Sequence, residues 1–373
     1  MRIVQLLPEL NEGGVERGVV ELSRELVRRG HESIVISAGG RLADTIAADG
    51  GRHFPYDVCS KNPLTAPTRV FGLRRLLRSL EPDILHARSR VPAWLAYLAN
   101  KKLNIPFVTT VHGFNSVNAY SRVMVFGDKV ICVSGAIREY VQRHYQVPDD
   151  KLVIIPRGVD LELFDPARVD EDFIHGFKAR FGLTGRQVIS TVGRITQLKD
   201  HETFIRAVGA LVGQGRDVVG LVVGGVREDK QDYFEGLKRL TAELGLQDRI
   251  VFAGNQQKIA EIYALSDVVV SSSKKPESFG RTAAEALAMN TPVVATAHGG
   301  VLDIVLPGET GELFQPGDVQ GLARALDRVA EIDVAELRTF VGKRFTLGRM
   351  VDSTLTVYSL LTGYKEATAR EDA

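Results

Sequence analysis

The sequence has few cysteines, a single tryptophan and almost no net charge, and these shortages narrow the classes of protein to which it can belong. Cys59 and Cys132 lie far apart, without the spacing of a metal site or a redox motif. We therefore expect no disulfide framework and a reducing compartment such as the cytoplasm. The 47 Lys and Arg residues nearly balance the 46 Asp and Glu residues. This balance argues against nucleic-acid binding, because domains that bind nucleic acids are typically strongly basic.

Long apolar runs are also missing from the sequence. No stretch approaches the roughly 18 consecutive apolar residues that indicate a membrane-spanning helix. The first apolar run is shorter than that of a signal peptide and turns into a glycine loop at Gly13. Hydrophobic residues make up 44% of the chain and charged residues 25%, which is typical of globular proteins. We therefore expect a cytoplasmic globular protein.

The length and the residue pattern predict two α/β domains. A chain of 373 residues exceeds what one hydrophobic core usually organises. Short apolar strands alternate with amphipathic helices, as in parallel sheets, and the alternation restarts after an acidic linker near residues 160–180. We predict two doubly wound, Rossmann-like domains that face each other across a cleft, over residues 1–165 and 166–345. Residues 346–373 are predicted as a terminal helix that could cross back to the first domain and that frays from residue 365.

The individual strands are predicted from short apolar runs. In the first domain they are Arg2–Leu7, Ser33–Ser37, Asp83–His86, Phe107–Val111, Lys129–Ser134 and Lys151–Ile155. In the second domain they are Gln187–Val192, Val218–Val223, Ile250–Phe252, Asp267–Ser271 and Pro292–Ala295.

Two features at predicted strand ends of the first domain point to a ligand. Gly13 and Gly14 separate the first strand from the first helix, where a tight turn exposes amides that attract anionic oxygens. His112 follows a strand, which is where open α/β sheets place ligand-binding groups. Each feature also has an ordinary structural interpretation, since many such turns need glycine and many single histidines are structural. The loop lacks the G-x-G-x-x-G spacing, which disfavours a nicotinamide-dependent dehydrogenase.

The second domain carries a pair of cations and a pair of carboxylates in the same kind of position. Arg194 follows a predicted strand and Lys199 precedes a helix, so both could converge on one diphosphate, although solvated surface charge is an equal alternative. Glu277 and Glu285 flank the beginning of a helix over residues 281–289. Its terminal amides suit a phosphate, and the two carboxylates suit sugar hydroxyls. The Ala-rich helix face predicts that Glu285 is half-buried and needs a partner.

The ordered set of motifs resembles a known family. GGVE at the first turn, VHG around His112, VSGAIREYV followed by VIIPRGVDLELFDP, GRITQLKD, and E-x7-E within PESFGRTAAEALA occur in sequence along nearly the whole chain. In this order they resemble the retaining GT-B glycosyltransferases of family 4, and among them the enzymes that build lipopolysaccharide core or other cell-envelope glycans.

The resemblance implies that a hexose-type sugar moves from a nucleoside-diphosphate sugar to a glycan or lipid-linked acceptor with retention of anomeric configuration. No metal and no cofactor besides the donor are expected, and Asp170 to Asp172 match an Asp-x-Asp metal motif only in the linker. The resemblance assigns catalysis to His112 and Glu277, the diphosphate to Gly14, Arg194, Lys199, Arg281 and Thr282, the transferred sugar to Glu277, Phe279 and Gly280, and the ribose and base to Glu285, Gly254, Asn255 and Gln256.

A basic amphipathic segment suggests a membrane partner. Arg74, Arg75 and Arg78 share residues 70–80 with five large apolar side chains. Such a helix can lie on anionic headgroups, although its leucines could equally pack on its own sheet. Because an envelope-glycan transferase must reach a lipid-linked acceptor, we expect reversible contact with the inner face of the cytoplasmic membrane.

Two other functions remain open at this point. A nucleotide-sugar epimerase of the same architecture would need the same diphosphate cations and sugar-binding glutamates. A non-catalytic nucleotide-sugar-binding protein would keep the fold without turnover. The order of the motifs favours transfer, and the sequence leaves the donor sugar and the acceptor unidentified.

Overall fold

A computed structural model describes residues 1–11 and 13–364; the predicted fraying from residue 365 lies outside the described residues. The chain forms two compact units. The first comprises Met1–Gly158 together with the chain from Leu347 onward, and the second comprises Val159–Thr346. Residues 159–165, assigned above to the first domain, belong to the second unit, where Val159 N donates to Phe345 O at 2.7 Å.

The described part of the first unit contains a seven-stranded parallel sheet in the order β3-β2-β1-β4-β5-β6-β7. Its strand order reverses between β1 and β4, and such a switch point is where open α/β sheets bind ligands. The strands are β1 Arg2–Leu6, β2 Glu32–Ser37, β3 Arg52–Pro55, β4 Ile84–Ala87, β5 Phe107–Val111, β6 Lys129–Cys132 and β7 Leu152–Ile154.

Amphipathic helices cover this sheet. In the first helix, Val19, Leu22 and Leu26 recur at helical spacing and are buried, which is why the segment packs as a helix against the strands. The helices are α1 Gly14–Arg28, α2 Ala43–Ala48, α3 Ala66–Leu80, α4 Arg90–Asn100 and α5 Gly135–Tyr145.

The described second unit contains a six-stranded parallel sheet in the order β10-β9-β8-β11-β12-β13. Its switch point lies between β8 and β11, which pair in parallel. The strands are β8 Gln187–Val192, β9 Val218–Val223, β10 Ile250–Gly254, β11 Val268–Ser271, β12 Val293–Thr296 and β13 Gly311–Phe314. The helices are α6 Glu171–Arg180, α7 His201–Gly213, α8 Gln231–Glu243, α9 Ile259–Ala264, α10 Arg281–Ala288, α11 Val319–Arg328 and α12 Leu337–Arg344.

The last helix, α13 Leu347–Thr362, belongs to the first unit. Val351, Leu355 and Tyr358 are buried in the same hydrophobic core as Ile3 of β1 and Leu22 of α1. This core of the first unit is therefore built from both ends of the described chain.

The predicted fold class is confirmed, because both units are parallel α/β sheets with helices around them. The short strands β3 and β13 were not predicted. Part of the predicted linker is ordered as α6, whose Ile174 and Phe177 are buried. Among the described residues, no helix is both long and apolar enough to cross a membrane.

Candidate functional site

The carboxyl edge of the first sheet brings together the glycine loop, His112 and Arg157. Gly14 begins α1 directly after the β1 turn, His112 follows β5, and Arg157 lies three residues after β7. Arg157 donates one hydrogen bond to Gly14 O and lies with Nη2 3.2 Å from His112 Nδ1. Arg157 was not predicted, because its partners are 45 and 143 residues away in sequence.

The contact with Arg157 fixes the proton of His112. A guanidinium can only donate, so Nδ1 of His112 must accept, and the neutral ring then carries its hydrogen on Nε2. Burial holds the pKa of His112 well below its usual value, and the charges of Arg157, Arg88 and His86 lower that pKa further. Nε2 is buried with no hydrogen-bond partner among the described residues. His112 therefore presents a free N–H donor rather than a base.

Arg88 is a second cation at this edge that the sequence reasoning missed. It follows β4 by one residue and is only 7% exposed. A β-carbon placed on Gly18 of α1 would lie 3.8 Å from both Arg88 Nη2 and Arg157 Nη1. The absence of a side chain at Gly14 leaves the space that Arg157 occupies, since a β-carbon there would lie 3.0 Å from Arg157 Nη1. The signal in the sequence was a cation shortly after a predicted strand, and His112 is predicted from the same kind of position.

In the second unit, Lys199 and Glu277 form an ion pair, with Lys199 Nζ 2.5 Å from Glu277 Oε1. The hydroxyls of Ser271 and Ser273 donate to the same carboxylate oxygen at 3.3 and 2.7 Å. Burial acts to raise the pKa of Glu277, but the charge of Lys199 and these hydrogen bonds lower it below its usual value. Glu277 is therefore an anion whose hydrogen-bonding geometry is set by three neighbours.

A glycine loop after β12 fixes the backbone of Glu277. Gly300 N donates to Glu277 O at 2.7 Å, and Gly299 forms an isolated parallel bridge with Glu277. Gly299 has φ +78°, and a β-carbon there would lie 2.5 Å from Glu277 O. Since that space cannot hold a side chain, glycine is required at this position. The two serines and this loop were not predicted as part of the site.

Glu285 lies inside α10 and is 6% exposed, so it is more deeply buried than the half-buried position that was predicted. Its carboxylate accepts from Arg281 Nε at 2.6 Å, one helical turn earlier, and from the hydroxyl of Tyr263 at 3.1 Å. Burial raises the pKa of Tyr263 well above its usual value, and the adjacent carboxylate raises it further. Tyr263 therefore stays a hydrogen-bond donor to Glu285.

Phe279 and Gly280 connect the two glutamates. The Phe279 side chain is 2% exposed and packs against Phe345 with ring centroids 5.7 Å apart. Only the backbone of Phe279 can therefore face a ligand. Gly280 is the residue before α10, and Arg281 and Thr282 form its first turn. Their amides have no acceptor within the helix, which gives this end of α10 affinity for anions.

The remaining predicted residues lie on exposed loops at the carboxyl ends of their strands. Arg194 follows β8 and is exposed, and among the described residues no hydrogen bond or ion pair joins it to Lys199 or Glu277. Gly254 ends β10, with Asn255 and Gln256 directly after it. Gly224 N donates to Gly254 O, and Gln256 Nε2 donates to Ala253 O at 2.6 Å. These contacts order the loop without using the Asn255 side chain.

The acidic segment around Asp170 has a structural use. Asp170 caps the N-terminus of α6 by accepting from Phe173 N at 2.9 Å, and it pairs with Lys258. Within residues 1–11 and 13–364, no cluster of three or more His, Cys, Asp or Glu side chains could hold a metal ion.

Each unit thus carries cations and polar groups at the carboxyl edge of a parallel sheet. The first unit brings together Gly14, His112 and two arginines, and the second brings together Lys199 with Glu277 and Arg281 with Glu285. Two Rossmann-like units with such edges define a protein of the GT-B class.

Comparison with known proteins agrees with this class. The chain matches two family descriptions, Glycosyltransferase Family 4 over residues 12–163 and Glycosyl transferases group 1 over residues 177–344. The crystal structure of a glycosyltransferase from Rickettsia africae is 31% identical, covers 98% of this chain and 99% of its own, and superposes with a TM-score of 0.90. The chain belongs to the family 4/group 1 glycosyltransferases and is a glycosyltransferase.

More distant relatives have the same two-unit fold or a similar sequence. A D-inositol 3-phosphate glycosyltransferase of Mycolicibacterium smegmatis is 27% identical over 388 residues, covering 93% of this chain and 86% of that protein. Anabaena HepE, solved with UDP and glucose, is 21% identical with a TM-score of 0.82 and covers 96% of this chain and 99% of its own.

Proposed function

We propose that this glycosyltransferase takes a hexose-type sugar from a nucleoside-diphosphate sugar and transfers it to an acceptor hydroxyl with retention of anomeric configuration and without a metal ion. The Lys199–Glu277 pair carries this proposal. A cation and a carboxylate in one site match the two parts of such a donor, which are the diphosphate and the sugar. The diphosphate needs positive charge, and the sugar hydroxyls need an acceptor.

A bound donor would replace the contact between Lys199 and Glu277 with contacts to its own groups. Its diphosphate would take Lys199, together with Arg194 and the first-turn amides at Arg281 and Thr282, and Glu277 would then accept from hydroxyls of the transferred sugar. Ser271 and Ser273 would hold the Glu277 carboxylate in place after Lys199 has moved to the phosphate. The backbone of Phe279 and Gly280 would line the same sugar subsite.

The nucleoside would lie beside Glu285. Its carboxylate has two donors in the free protein, Arg281 and Tyr263, and we propose that a ribose hydroxyl joins or replaces one of them. The loop formed by Gly254, Asn255 and Gln256 would contact the base. Anabaena HepE was solved with UDP-glucose and shares the fold, which supports a donor of this class.

His112 and Gly14 would act from the first unit. The free Nε2–H of His112 would donate to the reacting sugar, and the lack of a side chain at Gly14 would let the loop approach the phosphates. In the reaction the bond from the anomeric carbon to the diphosphate breaks and a bond from that carbon to the acceptor oxygen forms, while the proton of the acceptor hydroxyl passes to the departing diphosphate. The departing nucleoside diphosphate carries negative charge, which preorganised cations stabilise.

The acceptor is proposed as a hydroxyl of a polyol or glycan, including lipid-linked glycans of the cell envelope. The D-inositol 3-phosphate glycosyltransferases among the relatives support a polyol. Solved structures of the same fold include a lipopolysaccharide outer core galactosyltransferase and a glycosyltransferase involved in lipopolysaccharide biosynthesis, which supports the envelope glycans.

The experiment measures nucleoside-diphosphate binding by calorimetry and nucleotide release from donor sugars with an acceptor panel. We expect Lys199→Ala to weaken binding about tenfold or more, because charge-assisted hydrogen bonds contribute about 1.5–3 kcal/mol. Glu277→Gln should spare nucleoside-diphosphate binding and reduce turnover. Lys238→Ala changes an exposed lysine on α8 and is the control.

Three outcomes would contradict the proposal. They are unchanged nucleotide affinity in Lys199→Ala, activity lost in EDTA and restored only by magnesium or manganese, and conversion of the donor to an epimer without nucleotide release.

A further inference from the structure

Arg88 is a buried cation without a counter-charge. It is 7% exposed, its Nε has no hydrogen-bond partner, and no carboxylate of a described residue pairs with it. Burial lowers its pKa to about 10, so the guanidinium remains charged at neutral pH. A buried charge is expensive unless it is paired and hydrogen-bonded. The fold therefore tolerates an unfavourable group at the switch point of the first sheet.

Three other buried or half-buried cations of the described chain are compensated. Arg69, which is 8% exposed, donates to the carbonyls of Ser60 and Asn62 and approaches Asp57. In the second unit, Lys199 and Arg281 each have a glutamate partner. Arg88 is different from all three, and this difference requires an explanation beyond packing.

The surroundings of Arg88 fit an anion. Arg88 Nη2 and Arg157 Nη1 would each lie 3.8 Å from a β-carbon placed on Gly18, so both cations reach the first turns of α1 at the same residue. The first amides of that helix have no acceptor within the helix and carry partial positive charge. The uncharged His112 adds an N–H donor at the same edge. Among these groups there are several donors and two full positive charges.

We infer that Arg88, with Arg157 and the first-turn amides of α1, binds a phosphate group of the acceptor, so that the acceptor is a phosphorylated polyol or sugar. This inference rests on the proposed function, which assigns the donor diphosphate to Lys199, Arg194 and α10 in the other unit and, within the first unit, only to the loop at Gly14. The cations of the first unit are then not needed to bind the donor diphosphate, and they can bind a second anion. A phosphate matches the guanidinium fork and two adjacent positive charges better than a neutral hydroxyl does.

The test uses calorimetry, in the absence of donor, to compare the affinity of the protein for a phosphorylated compound with its affinity for the same compound without the phosphate. D-myo-inositol 3-phosphate is paired with myo-inositol, glucose 6-phosphate with glucose, and inorganic phosphate and UDP are measured separately. We expect at least one phosphorylated compound to bind roughly tenfold or more tightly than its partner. Arg88→Gln should abolish this difference and leave UDP affinity within about twofold.

Two further variants control the measurement. Arg75→Gln replaces an exposed arginine of the same unit and should behave as the wild type. Arg88→Lys keeps the charge and loses the fork, and it should give an intermediate loss. Because Arg88→Gln removes an unpaired buried charge, the melting temperature of this variant should not fall below that of the wild type. If it does fall, Arg88→Lys is used to test the inference instead.

Specific outcomes overturn the inference. Equal affinity of the wild type for both members of each pair would show that no acceptor phosphate is bound, as would binding of inorganic phosphate alone. A loss of UDP affinity in Arg88→Gln that matches the loss for sugar phosphates would assign Arg88 to the donor. Failure of the proposed function would give a different result. The wild type would then not bind UDP, and Lys199→Ala would not change UDP binding.

Discussion

Burial lowers the pKa values of His86, His112 and His201 below their usual range. In the first unit burial lowers the pKa of His86 and His112 well below the ordinary value, and nearby arginine charges add to this. In the second unit burial lowers the pKa of His201 to about 4, with a smaller contribution from Lys199. Each of these residues is neutral in the folded protein near pH 6, whereas an unfolded histidine is largely protonated there.

The protein should therefore lose stability on mild acidification. For His201 the unfolded state binds the additional proton between pH 6.5 and about 4, so stability is full above pH 6.5 and falls as the pH decreases through that window. From pH 7.5 to 5.5 this single group should reduce the free energy of unfolding by about 1.3 kcal/mol. Urea unfolding at both pH values measures the difference. His201→Gln should remove that part of the pH dependence, whereas the exposed His175→Gln should retain it.

Local patterns predicted single residues well, and distant partners could not be predicted. The burial of Glu285 followed from the Ala-rich face of its own helix, since both lie within one stretch of sequence. The partner of Glu277 is 78 residues away, and Arg88 meets Arg157 only because their strands belong to one sheet. The strand order that creates these contacts is a property of the whole fold and is not encoded in any short spacing.

At the scale of elements, the arginines of α3 fall into those engaged within the protein and those exposed on its surface. Its buried face carries Leu73, Leu77 and Leu80. Arg74 donates to the carbonyls of Leu98 and Ala99 at the end of α4, so it stabilises a helix terminus and is engaged within the protein. The exposed surface instead carries Phe71, which is 68% exposed, with Arg75 and Arg78.

We predict that this exposed surface of α3 binds anionic membranes weakly and reversibly. Each cation near such a surface contributes about 1 kcal/mol, so two arginines and one exposed aromatic ring give salt-sensitive attachment. Co-sedimentation with anionic and neutral vesicles at low and high salt measures it. Arg75→Ser with Arg78→Ser should reduce binding to anionic vesicles several-fold, whereas Arg143→Ser on α5 should not. Failure of the wild type to sediment with anionic vesicles at low salt would rule this surface out.

The elements that were missed share a physical cause. β3 is the four-residue sequence RHFP and β13 is GELF, and both lie at sheet edges. Neither sequence contains an apolar run, because Arg and His precede the Phe of β3 and Gly and Glu precede the Leu of β13. The longer central strands are nearly continuous apolar runs, as expected when both faces are covered by helices.

At the scale of the whole molecule, the chain leaves the first unit at Gly158 and returns to it at Leu347. The alternation of strands and helices was sufficient to predict two α/β units, because each unit repeats the same local pattern. The phosphorylated acceptor that we propose was not predictable in this way, since the proposal rests on Arg88, whose surroundings become evident only in the folded structure. The return of α13 has a consequence for stability that can be measured for the first unit alone.

Removal of α13 should unfold the first unit. Val351, Leu355 and Tyr358 are buried in its core, and Tyr358 hydroxyl lies 2.6 Å from Nδ1 of the fully buried His86. Three large buried side chains contribute roughly 1.5–3 kcal/mol each, and their loss is a large part of the 5–15 kcal/mol that stabilises a typical protein. A chain ending at Thr346 should therefore lose cooperative unfolding of the first unit. The only tryptophan of the sequence, Trp94, lies on α4 of that unit, so its fluorescence reports the change without interference from the second unit.

A pair of leucines on the same helix provides a graded test of this prediction. Leu355 is 5% exposed and Leu360 is 71% exposed. Leu355→Ala should lower the stability reported by Trp94 by about 2–5 kcal/mol, because it removes buried contacts and leaves a cavity. Leu360→Ala should change it by less than about 0.5 kcal/mol, since solvent already surrounds that side chain. If both substitutions have the same small effect and the truncated chain keeps the native Trp94 emission, the first unit does not depend on α13, and its core is closed by residues 1–158 alone.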